Sequence, residues 1–551
     1  MNETLAYAAA SAPALYLAHR SYLRLLLSKA KHPSLRGHAR MALRFSKLVR
    51  FYEYDEREFF ECDGAPSSVA EQRREAFVAL SKALRERAPI SIQRTHELEE
   101  SISDVEFTNA YRVPFQFRSR VREQLEVGNF ADATQGERLR DLDGNWSYDL
   151  GGSYGLNLLG YDFYKGCLER AVERVKDLGP VLGPYHPVIA DNVARLKEIS
   201  GLDEVSFHMS GTEAVMQAVR LARYHTGRSH IVRFCGAYHG WWDGVQAGVG
   251  NPRPAREVYT LKEMDDDTLR VLRKRRDIAC VLVNPLQALN PNGGAPSDST
   301  LVASDRSAHF DKAAYSRWLA RLREVCSERK IVLIFDEVFL GFRLARGGAQ
   351  EYFGVKADMV TYGKTLGGGL PIGVVCGRAD LMRRYRDDRP TDICFARGTF
   401  NSHPLVMATM NEFLRFVDTP EGRASYEGLD ERWNRRANLL NQRLERAGIP
   451  LRVANLMSVW TTLFTQPSRY NWMLQFYLRA EGLSLSWIGA ARFIFSHSCT
   501  DADFQDVCDR IVAAAVAMQR DGWWWKGPEL TNKSIKRRVA RELLRAALGR
   551  R

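Results

Sequence analysis

Short apolar runs alternate with longer amphipathic stretches between about residues 200 and 380. Two of the longer stretches, Glu213–Tyr224 and Ala313–Ser327, have the apolar spacing of helices. Strands that are separated by helices usually pair in parallel, so the region predicts an α/β domain with a largely parallel sheet. The predicted strands are Val205–Phe207, Ile231–Phe234, Ala279–Val283, Ile331–Phe335, Met359–Tyr362 and Ile372–Cys376.

The segments on either side of this region follow other patterns. The segment before it is rich in helical stretches such as Val69–Arg87, and 141–150 predicts a hairpin with its turn at Asp143-Gly144. We therefore expect four parts along the chain. They are a helical basic extension (1–125), a large domain (126–404), a smaller α+β domain (405–525) and a basic amphipathic tail (526–551).

The composition is that of a globular protein. Of the 551 residues, 45% are hydrophobic and 26% are charged, and no run approaches the 18 apolar residues of a membrane-spanning helix. The nine cysteines are scattered without a CxxC pair, and the N-terminus lacks the basic region of a signal peptide. We therefore expect reduced thiols in a cytoplasmic protein, with no disulfide framework and no metal site.

The net charge of +13 is concentrated at the two ends. Residues 1–50 hold nine Lys or Arg and one acid, and residues 526–551 hold nine Lys or Arg and two acids. The rest of the chain has a formal charge of −2. A nucleic-acid-binding protein with a basic core is therefore a poor interpretation.

Both ends predict amphipathic helices with one apolar and one basic stripe, and Trp523–Trp525 precede the second helix. Three interpretations remain open for these helices. They bind an anionic membrane surface peripherally, they dock an acidic partner such as an acyl carrier protein, or they pack on the body of the protein. The apolar stripes are Met41, Phe45, Leu48 and Tyr52 at one end, and Ile535, Val539, Leu543 and Ala546 at the other.

Two predicted strands end in residues that bind small ligands. Ser210-Gly211-Thr212-Glu213 follows the strand at 205–207 and begins a helix, whose free N–H groups and dipole suit a phosphate. Asp336 and Glu337 follow the buried strand at 331–335, at the edge where α/β sheets bind ligands. An Asp there binds a metal, a ribose hydroxyl or a cationic ring nitrogen.

Lys364 follows another strand and precedes three glycines. Gly363-Lys364-Thr365 matches the end of a phosphate-binding P-loop, but Asp358 stands where that motif needs glycine, so a nucleotide triphosphatase is excluded. A lysine in such a loop can form a Schiff base. Tyr238 offers a flat ring after a fourth strand, and Thr399 offers a hydroxyl and a backbone N–H.

Together these features describe a site for pyridoxal 5′-phosphate (PLP). A helix N-terminus holds a phosphate, an Asp protonates a ring nitrogen, an aromatic ring stacks on the cofactor, and a Lys binds its aldehyde. The segments SGTEAVMQAVRLARYHTGR, YHG, LIFDEVFLGF, TYGKTLGGGLPIG and GTFNSHPLVMA resemble those of class III PLP-dependent aminotransferases. The resemblance covers about residues 130–520 and is strongest to the glutamate-1-semialdehyde aminomutase-like branch.

This resemblance implies a fold-type-I homodimer with its active sites at the subunit interface. It also implies roles for seven residues. They are Lys364 as the Schiff-base lysine, Asp336 on the pyridine nitrogen, Tyr238 and Val338 on the two faces of the ring, Gly211 and Thr212 on the phosphate, and Thr399 reaching across from the partner subunit.

The chain departs from the family pattern in three places. Asn284-Pro285 stands where the family often has Glu-Pro, Asn290–Tyr315 resembles an insertion, and GTFNSHP is more similar to the aminotransferase modules of polyketide and lipopeptide assembly lines. We expect an aminotransferase that acts on a ketone, an aldehyde or a β-keto acyl acceptor. A 2,1-aminomutase of the glutamate-1-semialdehyde type and a non-enzymatic scaffold are the alternatives.

Overall fold

The computed structural model describes residues 2–253, 256–293, 308–486 and 489–549. Of these, residues 2–12 and residue 36 are described by their backbone alone. Most of the predicted insertion, Asn290–Tyr315, lies outside the described residues.

Helices account for most of the regular structure, and the first 125 residues are helical as predicted. The helix predicted over Val69–Arg87 begins two residues earlier. The helices are α1 Asn2–Lys29, α2 Ala39–Ser46, α3 Glu56–Glu61, α4 Ser67–Arg87, α5 Pro89–Glu99, α6 Ser103–Tyr111, α7 Arg118–Gln124, α8 Tyr161–Val175, α9 Val188–Ser200, α10 Gly211–Thr226, α11 Asp266–Lys274, α12 Lys312–Arg329, α13 Gly348–Phe353, α14 Ala379–Met382, α15 Pro404–Asp418, α16 Pro420–Ala424, α17 Leu429–Arg446, α18 Leu474–Ala480, α19 Asp501–Arg520 and α20 Asn532–Ala547.

Within the described residues the strands form three sheets, and all six strands predicted between 200 and 380 are present. The strands are β1 Ala133–Gln135, β2 Arg138–Arg140, β3 Trp146–Asp149, β4 Glu204–His208, β5 His230–Phe234, β6 Val258–Leu261, β7 Ile278–Val283, β8 Val332–Asp336, β9 Met359–Gly363, β10 Gly373–Gly377, β11 Leu451–Leu456, β12 Val459–Phe464, β13 Leu483–Ser484 and β14 Arg492–Ile494.

The chain divides into two compact units. The first consists of Met1–Ser46, Val175–Ala295 and Asp311–Leu414, and the second consists of the segments between and after them. The predicted division into four parts stays a prediction.

A seven-stranded sheet forms the centre of the first unit, with strand order β4-β10-β9-β8-β7-β5-β6. The pairs β5–β6, β5–β7, β7–β8 and β8–β9 are parallel, and β10 is antiparallel to both of its neighbours. This confirms the predicted, largely parallel sheet. Strands β7, β8, β9 and β10 are buried along their whole length, which explains their continuous apolar runs.

The register of β10 shows which strand ends meet. Gly373 pairs with Gly363 of β9 on one side and with His208 of β4 on the other. In the next pair of strands, Asp336 of β8 lies opposite Thr361 of β9. The carboxyl ends of β4, β8 and β9 therefore share one edge of the sheet, and the residues that follow them are brought together there.

The second unit contains the two smaller sheets, with orders β1-β2-β3-β13 and β11-β12-β14. The predicted hairpin at 141–150 is confirmed, because β2 and β3 are antiparallel and Gly144 in the turn has a φ of +83°. Helix α20 packs on this unit along its apolar stripe, with Ile535 buried.

Two of the three tryptophans that precede α20 are not available to a membrane surface. Trp523 and Trp524 are buried, and their indole N–H groups donate to Tyr477 Oη and Asn471 Oδ1 at 2.8 and 3.0 Å. These rings fill the core of the second unit, since an aromatic ring gains more from burial among other rings than from partial exposure. They cannot also lie at a membrane surface.

The predicted N-terminal stripe is wrong in part. Helix α2 ends at Ser46, so Leu48 and Tyr52 lie beyond it, while Met41 and Phe45 are exposed on its surface. Helix α1 exposes several large apolar side chains, including Leu15 at 68% and Leu17 at 61%. Among the described helices, none combines the length and the hydropathy needed to span a bilayer.

Candidate active site

The start of helix α10 is built to leave backbone N–H groups available. Ser210 caps the helix by accepting a hydrogen bond from Glu213 N at 3.2 Å, and Glu213 Oε2 accepts one from Met209 N at 2.9 Å. This reciprocal cap fixes the direction in which the helix leaves β4. The helix dipole then presents a partial positive charge at Gly211 and Thr212.

Close packing explains the glycines around this helix start. A Cβ at Gly211 would lie 2.5 Å from Val338 Cγ1, and a Cβ at Gly240 would lie 2.6 Å from Thr212 Oγ1. Gly240 also has a φ of +87°, where other residues are strained. The structure therefore places Gly211 beside Val338, and Thr212 beside the loop that follows β5.

Asp336 is buried at the end of β8 and is held by three donors. Its Oδ2 lies 2.8 Å from His239 Nδ1, and its Oδ1 accepts from Val338 N at 3.2 Å and from Thr361 Oγ1 at 3.4 Å. His239 is 1% exposed, and its Nε2 has no hydrogen-bond partner within the described residues. The carboxylate is therefore fixed in position with a ring nitrogen on one side.

Lys364 follows β9 directly and has a φ of +49°, an uncommon conformation for a residue with a side chain. Its Nζ lies 4.4 Å from the centre of the Phe339 ring, which follows Val338 in the loop after β8. Lys364 and Asp336 thus extend from neighbouring strands at the same edge. Left-handed residues of this kind are concentrated at functional sites.

Tyr238 lies next to the Asp336–His239 pair, with its side chain 58% exposed. Partial burial and the nearby charge of Asp336 raise the pKa of the Tyr238 hydroxyl. Asn284, at the position where the family often has Glu, donates to the Tyr238 carbonyl at 3.0 Å and so fixes the loop that carries the ring.

Thr399 is the one predicted residue that the structure does not bring to the others. It lies in an exposed stretch, and no hydrogen bond of its side chain is found in the described part of the chain. Its role toward a partner subunit stays a prediction.

Two contributors to the site were not predicted from the sequence. His239 follows Tyr238 in the chain and Phe339 follows Val338, but no pattern in the sequence marks either residue as part of the site. His239 lies 97 positions from Asp336, so only the fold reveals the pair. The sequence offers one signal for them, which is that each residue is the direct neighbour of a predicted site residue.

The arrangement fits PLP on two observations of this structure. A side chain at Gly211 or Gly240 would clash with its neighbours, so the backbone packs closely around the N-terminus of the helix. A helix N-terminus of this kind can hold a phosphate. The buried His239–Asp336 pair provides a fixed carboxylate of the kind that pairs with a pyridine nitrogen. Lys364 supplies the amine at the same edge of the sheet.

The comparisons with known proteins agree with this reading. The family model for class-III aminotransferases matches residues 121–293 and 307–515, and the gap falls within the predicted insertion, Asn290–Tyr315. The chain is 32% identical over 437 residues to a protein named glutamate-1-semialdehyde 2,1-aminomutase from Nitratidesulfovibrio vulgaris strain DP4. That alignment covers 76% of this chain and 98% of the relative.

Solved structures show the same fold. An ω-transaminase from Sphaerobacter thermophilus superimposes with a TM-score of 0.62 at 25% identity, covering 78% of this chain and 97% of the other. A glutamate-1-semialdehyde aminomutase from Pseudomonas aeruginosa PAO1 superimposes with a TM-score of 0.65 at 19% identity, covering 81% and 98%. The chain therefore belongs to the class III aminotransferase family and is a fold-type-I enzyme that depends on PLP.

Proposed function

We propose that this enzyme is an aminotransferase that delivers an amino group to a ketone, an aldehyde or a β-keto acyl acceptor. The observation that carries the proposal is the juxtaposition of Lys364 and Asp336. These residues follow neighbouring strands at the sheet edge that also contains the N-terminus of α10. A specific observation favours a second candidate, a 2,1-aminomutase, because relatives at 32% identity carry that name.

Lys364 and Asp336 are the proposed catalytic residues. When bound, PLP supplies an electron sink for the charge that develops at the substrate carbon. Lys364 Nζ would hold the cofactor's aldehyde carbon and, once displaced by an amine, carry a proton as general base and acid. Asp336 would keep a proton on the pyridine nitrogen, and the short contact with His239 would hold the Asp336 carboxylate in place.

The remaining predicted residues form the proposed cradle. Gly211 and Thr212 would bind the phosphate through the N-terminus of α10. Val338 and Tyr238 would cover the two faces of the ring, and Thr399 would come from the partner subunit. The contact between Gly211 and Val338, and the proximity of Tyr238 to Asp336, support the first four of these roles.

The test that separates the two candidates is dependence on an amino donor. An aminotransferase releases one keto product for every amine formed and stops when the donor is removed. An aminomutase converts glutamate 1-semialdehyde without any donor once it is loaded with pyridoxamine phosphate. Sustained turnover of that substrate in the absence of a donor would overturn the first proposal in favour of the second.

We also propose a cytoplasmic homodimer. All nine cysteines are buried and lie outside any disulfide in the described residues, as a reducing compartment allows. Thr399 and Phe400 are exposed on the single chain, as residues that complete a partner's site would be.

We further propose that α1 binds an anionic membrane surface. It carries Arg20, Arg24 and Lys29 beside exposed leucines, and a helix that exposes such side chains needs an apolar partner. Docking of an acyl carrier protein is the other outcome that a binding experiment would reveal.

A further inference from the structure

A polar cavity of about 350 Å³ lies within the second unit, beside helix α20. Residues 62–64 form one wall, and the loop and first turn at 525–535 form another. Arg469, Arg538 and Arg541 complete the lining. Three arginines around one small cavity are unusual, because like charges repel unless an anion lies between them.

The carboxylates near this cavity do not neutralise all three arginines. Asp63 is engaged by buried Arg73 at 2.6 Å. Glu542 lies 3.3 Å from Arg469 and also accepts hydrogen bonds from two tyrosine hydroxyls. Each of these carboxylates is therefore already balanced by one arginine.

Arg538 and Arg541 have no such balance. Arg538 donates to the carbonyl of Cys62, which carries no charge. Neither Arg538 nor Arg541 has a carboxylate within ion-pair distance among the described residues. Glu529, on the same wall, is exposed. An excess of positive charge therefore faces the cavity.

We propose that this cavity binds the phosphate group of an anionic ligand. Guanidinium groups match the oxygens of phosphate in paired hydrogen bonds, and Arg538 and Arg541 together outweigh the single charge of Glu529 on the same wall. The cavity lies at the small end of ligand-binding pockets, so it accommodates a phosphate or diphosphate group with little else. The N-terminus of α20, whose first turn lines the cavity, adds its partial positive charge.

This assignment is independent of the proposed reaction. It also gives the basic C-terminal helix a role other than contact with a membrane through its tryptophans. The phosphate group can belong to a free small molecule or to a phospholipid headgroup, and the experiment distinguishes these sources.

The test uses the PLP-loaded enzyme, in which the proposed phosphate cradle of the active site is filled. Binding of pyrophosphate and of inorganic phosphate is measured by calorimetry, against sodium chloride at equal ionic strength. We expect saturable binding, weakened about tenfold by Arg541→Gln and by Arg538→Gln, as expected for loss of one charged hydrogen bond. Arg537→Gln is the matched control, since Arg537 lies on the same helix, is exposed and does not line the cavity.

Sedimentation with phosphatidic acid vesicles is measured in parallel. A decrease in sedimentation in Arg541→Gln that is absent in Arg537→Gln identifies a lipid headgroup as the source. Equal sedimentation of the two variants, with soluble binding weakened only in Arg541→Gln, identifies a free phosphate compound. Because Arg541 is exposed, its variant is expected to melt as the parent does. The proposal is overturned if neither probe binds beyond chloride, or if Arg541→Gln and Arg537→Gln weaken binding equally.

Discussion

Two lysines in the described chain, Lys330 and Lys364, have left-handed backbones, with φ of +51° and +49°. Lys330 ends helix α12, where a left-handed residue is a common helix cap. Lys364 has no helix to end and instead begins a short 3-10 turn after β9. The same strained conformation therefore ends a helix at Lys330 and, we infer, positions an amine at Lys364.

Lys364→Ala is expected to abolish turnover and to leave PLP bound without a covalent link. The measurement is borohydride reduction of the PLP-loaded parent enzyme followed by peptide mass mapping, which should find the reduced cofactor attached to Lys364 alone. The control is Lys330→Ala, at the other left-handed lysine, which should keep both the activity and the attached cofactor. A label on a different lysine would refute the assignment.

Asp336→Asn is expected to lower kcat by several orders of magnitude while PLP still binds. The amide cannot hold a proton on the pyridine nitrogen, so the ring is a weaker electron sink. Steady-state kinetics and a cofactor titration measure the two effects separately. A rate within about tenfold of the parent, roughly 1.4 kcal/mol of barrier, would show that Asp336 is not the partner of this nitrogen.

Glu263, a buried residue outside the proposed active site, should make the stability of the fold depend on pH. Burial raises the pKa of its carboxyl to about 8, although the Tyr315 hydroxyl donates to it at 2.6 Å. The unfolded carboxyl loses its proton above about pH 4.5, whereas the folded one keeps it until about pH 8. The contribution of Glu263 to stability is therefore full below pH 4.5 and is lost as the pH rises to about 8.

Glu263→Gln is expected to remove this dependence. Relative to the parent, the free energy of unfolding of the variant should rise between pH 4.5 and pH 8, by on the order of 5 kcal/mol. Denaturant titrations at several pH values measure it. Glu257→Gln, at an exposed position, is the control, and parallel pH profiles for Glu263→Gln and the parent would contradict the prediction.

At the scale of elements, helices α1 and α20, near the two ends of the chain, differ in their surroundings. Helix α20 buries Ile535 and places Glu542 beside Arg469, so its inner face is occupied by protein. Helix α1 leaves Leu15, Leu17 and Leu25 exposed, each by more than half. Amphipathic spacing predicts a face that needs a partner, but it does not say which partner covers that face.

The double variant Leu17→Ser, Leu25→Ser is expected to lower sedimentation with anionic vesicles about tenfold, since each leucine contributes apolar area to the bilayer interface. High salt should lower the binding of the parent as well, because Arg20, Arg24 and Lys29 act by charge. Val78→Ser, an exposed apolar position on α4, is the control. Equal sedimentation of all three proteins would exclude α1 as the membrane-binding element.

At the scale of the whole molecule, the proposed dimer predicts complementation between two inactive chains. Thr399→Ala is assayed at limiting PLP, where loss of a phosphate contact lowers activity, and Lys364→Ala is inactive throughout. Refolding the two together should restore about a quarter of the parental activity, because half of the dimers are mixed and each contains one intact site. No gain on mixing would place Thr399 outside the partner's site.

The sequence alone determined the central sheet and indicated the proposed site residues. Buried parallel strands need continuous apolar runs, and the residues after them lie at one edge, so Asp336 and Lys364 were identifiable from local pattern. The family resemblance added their roles and the cofactor. Strand β6, at the edge of the sheet, was missed because it pairs with one neighbour only and its run is short.

Only the tertiary structure decided which distant residues touch. The pairing of His239 with Asp336, the position of Lys364 over Phe339 and the burial of Trp523 all join residues far apart in sequence or depend on packing. Local periodicity records which face of an element is apolar, but the partner that covers this face is set by chain folding. For that reason the sequence left three partners open for the basic C-terminal helix, and only the structure shows that this helix forms one wall of an arginine-lined cavity.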